Sequence, residues 1–544
     1  AEVAFDGTLE SFDITGKADL KDGDFRYGEL MKKPRGERAN LTLKGRYRGG
    51  DITIEQIALA IKDLEATGRA SVNNLEDPVI DLALRTNQVD LAQWSPAGKR
   101  LTGKVSLVIG VKGQLFTPEA LAFTQAKLTA SGIGPLETVL EALPSVRESL
   151  PKGFKMKGRA DVSVSLSGSY PNLSGRAVVD LTQAGLHHPD WVVKPAGRPA
   201  RLAVEGRNSG KALTVKAFEA ILGKDWVRGS AHVADFDQPR GSLTVASSPM
   251  KLEQLAEALP VLKRYGLAGS VTVDINVQGD TARLKQAQAK GIVEVKELKA
   301  RLPQLAAPLE KMTGTLELKG QEATLKRFVV AYGDSLISLS ATARGFDAPQ
   351  VAFALDAPRL VLDQWKAPKR KRPLRRPKAS REPFGPASPA RIVLVKAPPR
   401  PSGLFAWFKK VRASGSVRVR RAEYKDWLLE NLQAKTSLRR GIFILNHLTF
   451  GLHKGRFDGG AVVDLDPASA TFSFRSSLVG VDVNDLLTAH GDLPNTVWGR
   501  LDATLDIKGR GQTAAAFMPT LAGQGQATVT DGHINMAIVR DLLN

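Results

Sequence analysis

The sequence predicts a mostly β protein built from repeated strand units, and two repeated patterns and the composition support this prediction. The first pattern is a strand framed by Gly residues ten positions apart. Its copies read GKVSLVIGVKG (103–113), GRADVSVSLSG (158–168), GSVTVDINVQG (269–279) and GRLDATLDIKG (499–509). In every copy the second, fourth, sixth and eighth residues after the first Gly are Ala, Val, Leu or Ile. This alternation predicts a strand with one apolar and one polar face.

The second pattern is a longer unit of a strand, an Asp-containing turn that ends at Pro, a second strand and a short helix-like piece. Because Pro fixes its own φ and restricts the residue before it, Asp followed by Pro favours a turn. In three of the copies a Gly-framed strand, or its start, follows directly. The copies cover 66–94, 228–255, 338–365 and 458–487, and their turns end at Pro78, Pro239, Pro349 and Pro467.

Length and composition agree with a repetitive β body. A chain of 544 residues is too long for one compact core, so several domains or one elongated repetitive body are expected. Aromatic residues make up only 6%, and 50 Gly and 30 Pro favour strands and turns over helices. No Cys is present, which excludes a disulfide framework, a thiolate metal site and a Cys nucleophile.

The sequence contains no apolar run of about eighteen residues, so it predicts no transmembrane helix in the residues given. It begins in what reads as a strand and stops in what reads as the start of a helix (537–544). We therefore expect it to be a fragment of a longer protein.

Two helices are predicted, near 135–150 and 252–266, each with Leu and Val at helical spacing and each interrupted by Pro. They are too short and too few to cover the apolar faces of so many strands. Such a face must be buried against helices, a second sheet, the same sheet or a ligand. As domains we expect β units over 1–365, an insertion over 366–402 and a second β segment over 403–544.

The predicted insertion differs from the rest of the chain. Residues 366–401 hold nine Pro and twelve Lys or Arg against the single acidic residue Glu382. Such a composition does not bury enough surface to fold alone, so we expect an extended or disordered segment. Its basic residues are candidates for contact with anionic lipids, or form a solvated linker, and nucleic acid is disfavoured because no binding fold surrounds them. The cluster is Lys369, Arg370, Lys371, Arg372, Arg375, Arg376 and Lys378.

No catalytic motif is present: we find no nucleophile elbow, Walker A loop, zinc-protease helix or dinucleotide-binding fingerprint. His187, His188 and Asp190 could ligate a metal, but neighbouring side chains of an extended segment point apart. Asp161, Asp274 and Asp506 recur on the polar face of the Gly-framed strands, where solvated carboxylates are expected rather than a catalytic pair. The sequence therefore predicts a protein that is not an enzyme, with no metal and no cofactor.

Two interpretations of the apolar strand faces remain open from the residues alone. The faces could form ordinary core, or they could line a groove for acyl chains, whose burial contributes about 0.8 kcal/mol per CH₂ without a specific motif. A transmembrane β-barrel and a structural or adhesive β-repeat protein without lipid cargo are the alternative classes.

Two stretches resemble a known family. Residues 414–465 contain a strand, a strand pair and a turn flanked by Gly455 and by Gly459–Gly460, and 521–544 contain Gly525, Asp531–Gly532 and Asp541–Leu542–Leu543. Both resemble the AsmA-like family of Gram-negative envelope proteins, the group of AsmA, TamB and YhdP. The basic insertion is not typical of this family, and the N-terminal anchor helix of the family is absent from the sequence given.

The resemblance implies an elongated, twisted, mostly antiparallel β-sheet of repeated units, curled into an open apolar groove with a few short edge helices. It also implies a periplasmic bridge-like lipid transfer protein, anchored in the inner membrane by an N-terminal helix. Such a protein binds phospholipids and carries them between the inner and outer membranes, which supports outer-membrane assembly. The residues expected to line the groove are Val105, Leu107, Ile109, Val162, Val164, Leu166, Val271, Val273, Ile275, Leu501, Leu505 and Ile507.

Overall fold

The computed structural model has a mostly β fold, as predicted, with strands in 69% of the structure. Two compact units are present: Ala1–Leu298 with Leu318–Gly320, and Lys299–Glu317 with Gln321–Asn544. The structure describes residues 1–27, 31–94, 101–117, 120–142, 144–237, 240–280, 286–302, 305–365, 409–466, 470–491, 493–511 and 514–535.

The strands that begin in the first unit are mostly long and close in sequence. They are β1 (Glu2–Thr8), β2 (Ser11–Asp19), β3 (Phe25–Tyr27), β4 (Met31–Lys33), β5 (Ala39–Arg48), β6 (Asp51–Ile61), β7 (Leu64–Asn73), β8 (Val79–Thr86), β9 (Val89–Asp90), β10 (Thr102–Gln114), β11 (Ala122–Gly134), β12 (Lys155–Gly158), β13 (Ala160–Ser169), β14 (Asn172–Asp180), β15 (Ala184–His188), β16 (Val192–Lys194), β17 (Ala200–Ser209), β18 (Leu213–Leu222), β19 (Asp225–Val233), β20 (Arg240–Ser247), β21 (Met250–Lys251), β22 (Ala268–Asp280) and β23 (Gln288–Ala300).

The strands that begin in the second unit are also long and close in sequence. They are β24 (Leu309–Gly320), β25 (Glu322–Tyr332), β26 (Ser335–Arg344), β27 (Gln350–Val361), β28 (Arg412–Tyr424), β29 (Trp427–Arg439), β30 (Ile442–Leu452), β31 (Gly455–Asp464), β32 (Thr471–Asp482), β33 (Val497–Arg510) and β34 (Ala522–Ile534).

The helices are short in both units. They are α1 (Leu136–Ala142), α2 (Pro144–Ser149), α3 (Leu252–Ala256), α4 (Pro260–Arg264), α5 (Val483–His490) and α6 (Ala514–Phe517), with 3₁₀ segments at Leu91–Gln93, Leu362–Trp365 and Met518–Thr520. Short helices lie at both predicted positions, and each pair is divided just before the Pro that interrupts the pattern. No helix of the described residues has the length and hydropathy needed to cross a bilayer.

The first unit is an antiparallel meander, because most long strands pair with the next long strand along the chain. The order is β1, β2, β5, β6, β7, β8, β10, β11, β13, β14, β17, β18, β19, β20 and β22. Short β9 and β21 pair with the starts of β10 and β22. The hairpin β3–β4 and the three strands β12, β15 and β16 form two small separate sheets.

The Gly that opens each predicted strand frame has a specific role at the sheet. Gly103 and Gly269 have φ of +115° and +102°, a region that L-residues with side chains rarely adopt. A Cβ on Gly269 would lie 2.5 Å from the carbonyl oxygen of Glu297 on the next strand. The absence of a side chain at the opening Gly therefore lets this strand approach its neighbour closely.

The repeat in the first unit is longer than the strand–turn–strand unit that the sequence analysis found. Strands β2 to β9 recur as β14 to β21, and a short hairpin stands between two neighbouring long strands in both copies. Both hairpins end in a Lys-Pro pair, Lys33–Pro34 and Lys194–Pro195. The two copies are thus built on one plan, with the inserted hairpin as part of that plan.

A buried Lys closes the end of each inserted hairpin. Lys33 and Lys194 are only 1% and 2% exposed, and each ammonium group donates hydrogen bonds to several main-chain carbonyls. The acceptors are Lys21 O (2.8 Å), Gly23 O (2.6 Å) and Pro34 O (3.3 Å) for Lys33, and Leu181 O (2.8 Å), Thr182 O (3.1 Å), Ala184 O (2.7 Å) and Pro195 O (3.1 Å) for Lys194. Since buried carbonyls need a donor, each Lys holds its hairpin to the adjoining strand ends.

In the second unit β27 and β28 pair in parallel, from Gln350 beside Arg412 to Val361 beside Glu423. The other neighbours with a described register, β25 to β27 and β28 to β34, are antiparallel. Parallel neighbours need a connection that returns to the starting end of the first strand. The predicted insertion at 366–401 lies outside the described residues, and it belongs to this connection.

Strands of both units contain irregularities, for example between Val215 and Phe218 in the first unit. The register shifts between Leu325 and Phe328 and between Leu445 and Leu448, and Arg327 and His447 within these shifts have positive φ. Such bulges increase the local twist and bend of a strand. They supply curvature that an alternating strand pattern alone does not predict.

Helix α5 is attached to the turn between β30 and β31. Its N-cap is Asp482, which forms an ion pair with Lys454 at 3.0 Å. At its other end, Nε2 of His490 lies 3.1 Å from Nε2 of His453, and the ring of Trp427 stacks on His490 at 3.8 Å. Burial is the main cause that lowers the pKa of His453, and the nearby His490 lowers it further.

Replacing Lys194 by Met is expected to destabilise the protein by about 2–4 kcal/mol, because four carbonyls lose their buried donor. Urea-induced unfolding measures this loss. The control is Lys224→Met, at an exposed position in the turn between β18 and β19, which is expected to change stability by less than about 0.5 kcal/mol. Equal effects of the two substitutions would contradict the role assigned to Lys194.

Lowering the pH from about 7.5 to about 5.5 is expected to lower Tm. The pKa of His453 is lowered in the folded state, so the unfolded chain binds more protons than the folded chain in this range. The free energy of unfolding therefore decreases as the pH is lowered. Lys454, with a raised pKa, and Asp482, with a lowered pKa, stay charged throughout. Differential scanning fluorimetry at a series of pH values measures the effect.

The matched variant for this titration is His453→Asn, since Asn tolerates the φ of +43° found at this position. It is expected to show a smaller pH dependence than the unchanged protein over the same range. An identical dependence would show that the titration arises elsewhere.

Candidate functional site

An apolar row crosses the sheet of the first unit. Directly opposed residues of antiparallel strands have their side chains on the same face, so the register of each pair extends the row by one strand. The row consists of Leu107, Leu128, Val164, Ala177, Val204, Phe218, Gly229, Val245 and Ile275. Three of the Gly-framed segments therefore present their apolar residues on one common face.

A second row runs beside the first on that face and contains two more of the predicted lining residues. It consists of Val105, Ala130, Val162, Val179, Leu202, Ala220 and Val227. Ile109 and Leu166 are both opposite Ala126 and extend the face on the other side. Val271 is opposite Met250, and the backbone amide of Val273 donates to Ser247 Oγ at 3.0 Å, where the pairing of β20 and β22 is interrupted.

The second unit has an apolar face of the same construction. Ile507 is opposite Phe474, which is opposite Ala461, and Leu501 is opposite Val481. Leu505 has the same strand parity. Aromatic rings that the sequence analysis did not single out add to this face: Phe457 stacks on Phe450 at 4.3 Å and lies 6.3 Å from Phe474. Their proximity depends on strand pairing, which no local pattern shows.

The predicted lining residues are not packed as ordinary core. Leu107, Leu166 and Leu505 are 39%, 40% and 41% exposed, and the other nine are half-buried. The helices have eight residues or fewer, whereas β10 and β22 each have thirteen. These side chains therefore form an apolar surface that no layer of the described residues covers.

The opposite face of the strands is polar and carries cross-strand ion pairs. Arg46 and Asp13 are directly opposed and 2.6 Å apart, and the hydrogen bond from Arg46 lowers the pKa of Asp13. Arg475 and Asp506 are likewise opposed, at 2.8 Å. The same arrangement recurs at Arg228–Glu219 and Arg344–Glu322. This face is suited to water, in contrast to the apolar face.

The other acidic and histidine residues considered from the sequence have ordinary partners. Asp161 accepts a hydrogen bond from the amide of Gly132 at 2.6 Å. His188 is buried beside the Trp191 ring, and Asp190 pairs with Arg264 at 2.7 Å. Within the described residues no group of three His, Cys, Asp or Glu is arranged to hold a metal ion. The seven basic residues from Lys369 to Lys378 lie outside the described residues.

Comparison with known proteins supports the predicted family in the C-terminal part of the chain. Residues 331–543 match the model of the AsmA family, which confirms the resemblance over this part. No curated protein and no solved structure gives a significant match. The matched residues contain much of the second unit, including its apolar face.

Replacing Leu107 by Lys is expected to cost less than about 1 kcal/mol of stability, because its side chain already reaches solvent. The matched control is Leu136→Lys at a 6% exposed position of the same unit, where burying the charge is expected to cost several kcal/mol. Urea-induced unfolding compares the two. Similar losses would mean that a layer covers the apolar face.

Proposed function

We propose that this chain binds the acyl chains of phospholipids along its apolar sheet face and carries them between the inner and outer membranes of a Gram-negative envelope. The AsmA family, matched over residues 331–543, is an envelope-associated family linked to lipid transport or assembly rather than to catalysis. This match and the mostly β fold support the proposal. The proposed activity is non-enzymatic and serves outer-membrane assembly.

The observation that carries the proposal is the continuity of the uncovered apolar row. It crosses nine strands of the first unit from Leu107 to Ile275. With strands about 4.8 Å apart, the row is roughly 40 Å long. One leaflet of a bilayer is about 15 Å of hydrocarbon, so more than one acyl chain fits along the row.

The chemistry of this face suits a sliding cargo. Aliphatic side chains and methylene groups attract each other without direction, so an acyl chain gains about the same free energy at each step along the row. The row offers no fixed polar group that would hold a head group in one place. A structural repeat protein without cargo is disfavoured, because it would need a covered, dry face, and Leu107 and Leu166 are well exposed.

The experiment uses a photoreactive amino acid on each face of one strand, in the protein expressed in its native envelope. Val164 lies opposite Leu128 and Ala177, whereas its neighbour Ser165 lies opposite Lys127 and Arg176. We expect phospholipid adducts by mass spectrometry at position 164 and not at 165. Leu505 and Thr504 provide the equivalent pair in the second unit.

If none of the four positions, Val164, Ser165, Leu505 and Thr504, gives an adduct, the proposal is overturned, because the apolar face would then hold no lipid. Equal adducts at Val164 and Ser165 would show that the labelling reports membrane proximity and not a specific face. Expression of the variants and their Tm values serve as controls for folding.

A further inference from the structure

Two arginines face each other between β28 and β29. Arg412 is directly opposite Arg439, and on its other side it is beside Gln350 of β27. Like charges in directly opposed positions destabilise a strand pair. Arg359 and Arg421 are also directly opposed, between β27 and β28, but both pair with Glu423, at 2.8 and 2.9 Å. Arg412 and Arg439 share no such acidic partner among the described residues. A like-charge pair without a counter-charge is the kind of local inconsistency expected at a functional site.

A third arginine adds to this charge. Arg440 follows Arg439 in the turn to β30, and all three side chains are exposed. Within the second unit as described, none of the three forms an ion pair, whereas the nearby Arg344 pairs with Glu322 at 2.7 Å. The residues on the opposite parity, Ala413 and Leu438, belong to the apolar face. Arg412 and Arg439 therefore lie on the polar face of the sheet.

These arginines border a concavity of about 870 Å³. Its polar lining consists largely of hydrogen-bond donors and includes Arg344, Gln350, Arg412, Ser414, Arg439 and Arg440. Arginine offers five N–H groups in a planar fork that matches the oxygens of a phosphate. The volume exceeds that of a single phosphate and is in the range of small-molecule sites.

We propose that this concavity binds a phosphate-bearing anion, either the phosphate of a lipid head group or a free phosphorylated molecule. The anion would take the place that Glu219 or Asp506 takes elsewhere on the polar face and would relieve the repulsion between Arg412 and Arg439. Charge-assisted, two-pronged hydrogen bonds from arginine would supply the affinity. This site is independent of the apolar row, so it goes beyond the proposed transport function.

The test compares the full chain with the double variant Arg412→Gln/Arg439→Gln. Two probes are used at about 0.15 M salt: pyrophosphate by calorimetry, and phosphatidylglycerol vesicles against phosphatidylcholine vesicles by co-sedimentation. We expect at least about tenfold weaker binding in the double variant. The control Arg475→Gln, an ion-paired arginine on the polar face, is expected to bind within about twofold of the unchanged protein.

The basic segment that holds Lys369 and Lys378 also attracts anions. The comparison is therefore repeated in a background with Gln at the seven basic positions of the cluster from Lys369 to Lys378. The double variant is expected to keep or raise Tm in the absence of ligand, since a like-charge pair is removed. A purely structural role of the two arginines would lower Tm instead.

Each outcome decides the proposal. Loss of pyrophosphate binding in the double variant supports a soluble phosphorylated ligand, and loss of vesicle binding alone supports a lipid head group. The proposal is overturned if the unchanged protein binds neither probe, or if the double variant binds as well as Arg475→Gln. Lipid adducts at Val164 test the transport function separately and are expected to persist in the double variant.

Discussion

The constraint on which the rest of the structure depends is the apolar strand face of each unit, which the described residues leave uncovered. Leu107, Leu166 and Leu505 would each be buried in an ordinary core, but they remain around two-fifths exposed. The hydrophobic effect favours removing such a surface from water, and the helices are too short to do so. The acyl chain that we propose as cargo would satisfy this constraint, because it requires only a continuous aliphatic surface.

The other face of the same strands is polar and carries ion pairs. Pairs such as Arg46–Asp13 and Arg475–Asp506 place opposite charges directly across from each other in a solvent-exposed setting. Each exposed pair contributes little to stability, typically less than about 1 kcal/mol. Their effect is on specificity: a one-residue slip of a strand would move charges onto the apolar face, so the pairs help to fix the register.

The sequence was sufficient for features with a local period. The alternation in GSVTVDINVQG predicted which residues of β22 share a face, and Pro144 and Pro260 marked the breaks in the two helical segments. Features that depend on partners distant in the chain could not be predicted. Arg412 and Arg439 are opposed only because β28 and β29 pair in this register, and Lys194 meets its acceptors only when the β15–β16 hairpin folds back.

The parallel pairing of β27 and β28 explains why the arginine cluster exists at all. It places the start of β28 beside the start of β27, so Arg412 lies next to Gln350 and near Arg344 at the end of β26. An antiparallel β28 would place Arg412 at the far end of β27, near Val361, and would separate it from Arg344. The crossover that includes the predicted insertion is therefore a topological condition for the concavity. A chain shortened so far that β28 had to reverse its direction would keep an apolar face but lose the proposed anion site, because strand alternation is a local property and the cluster is not.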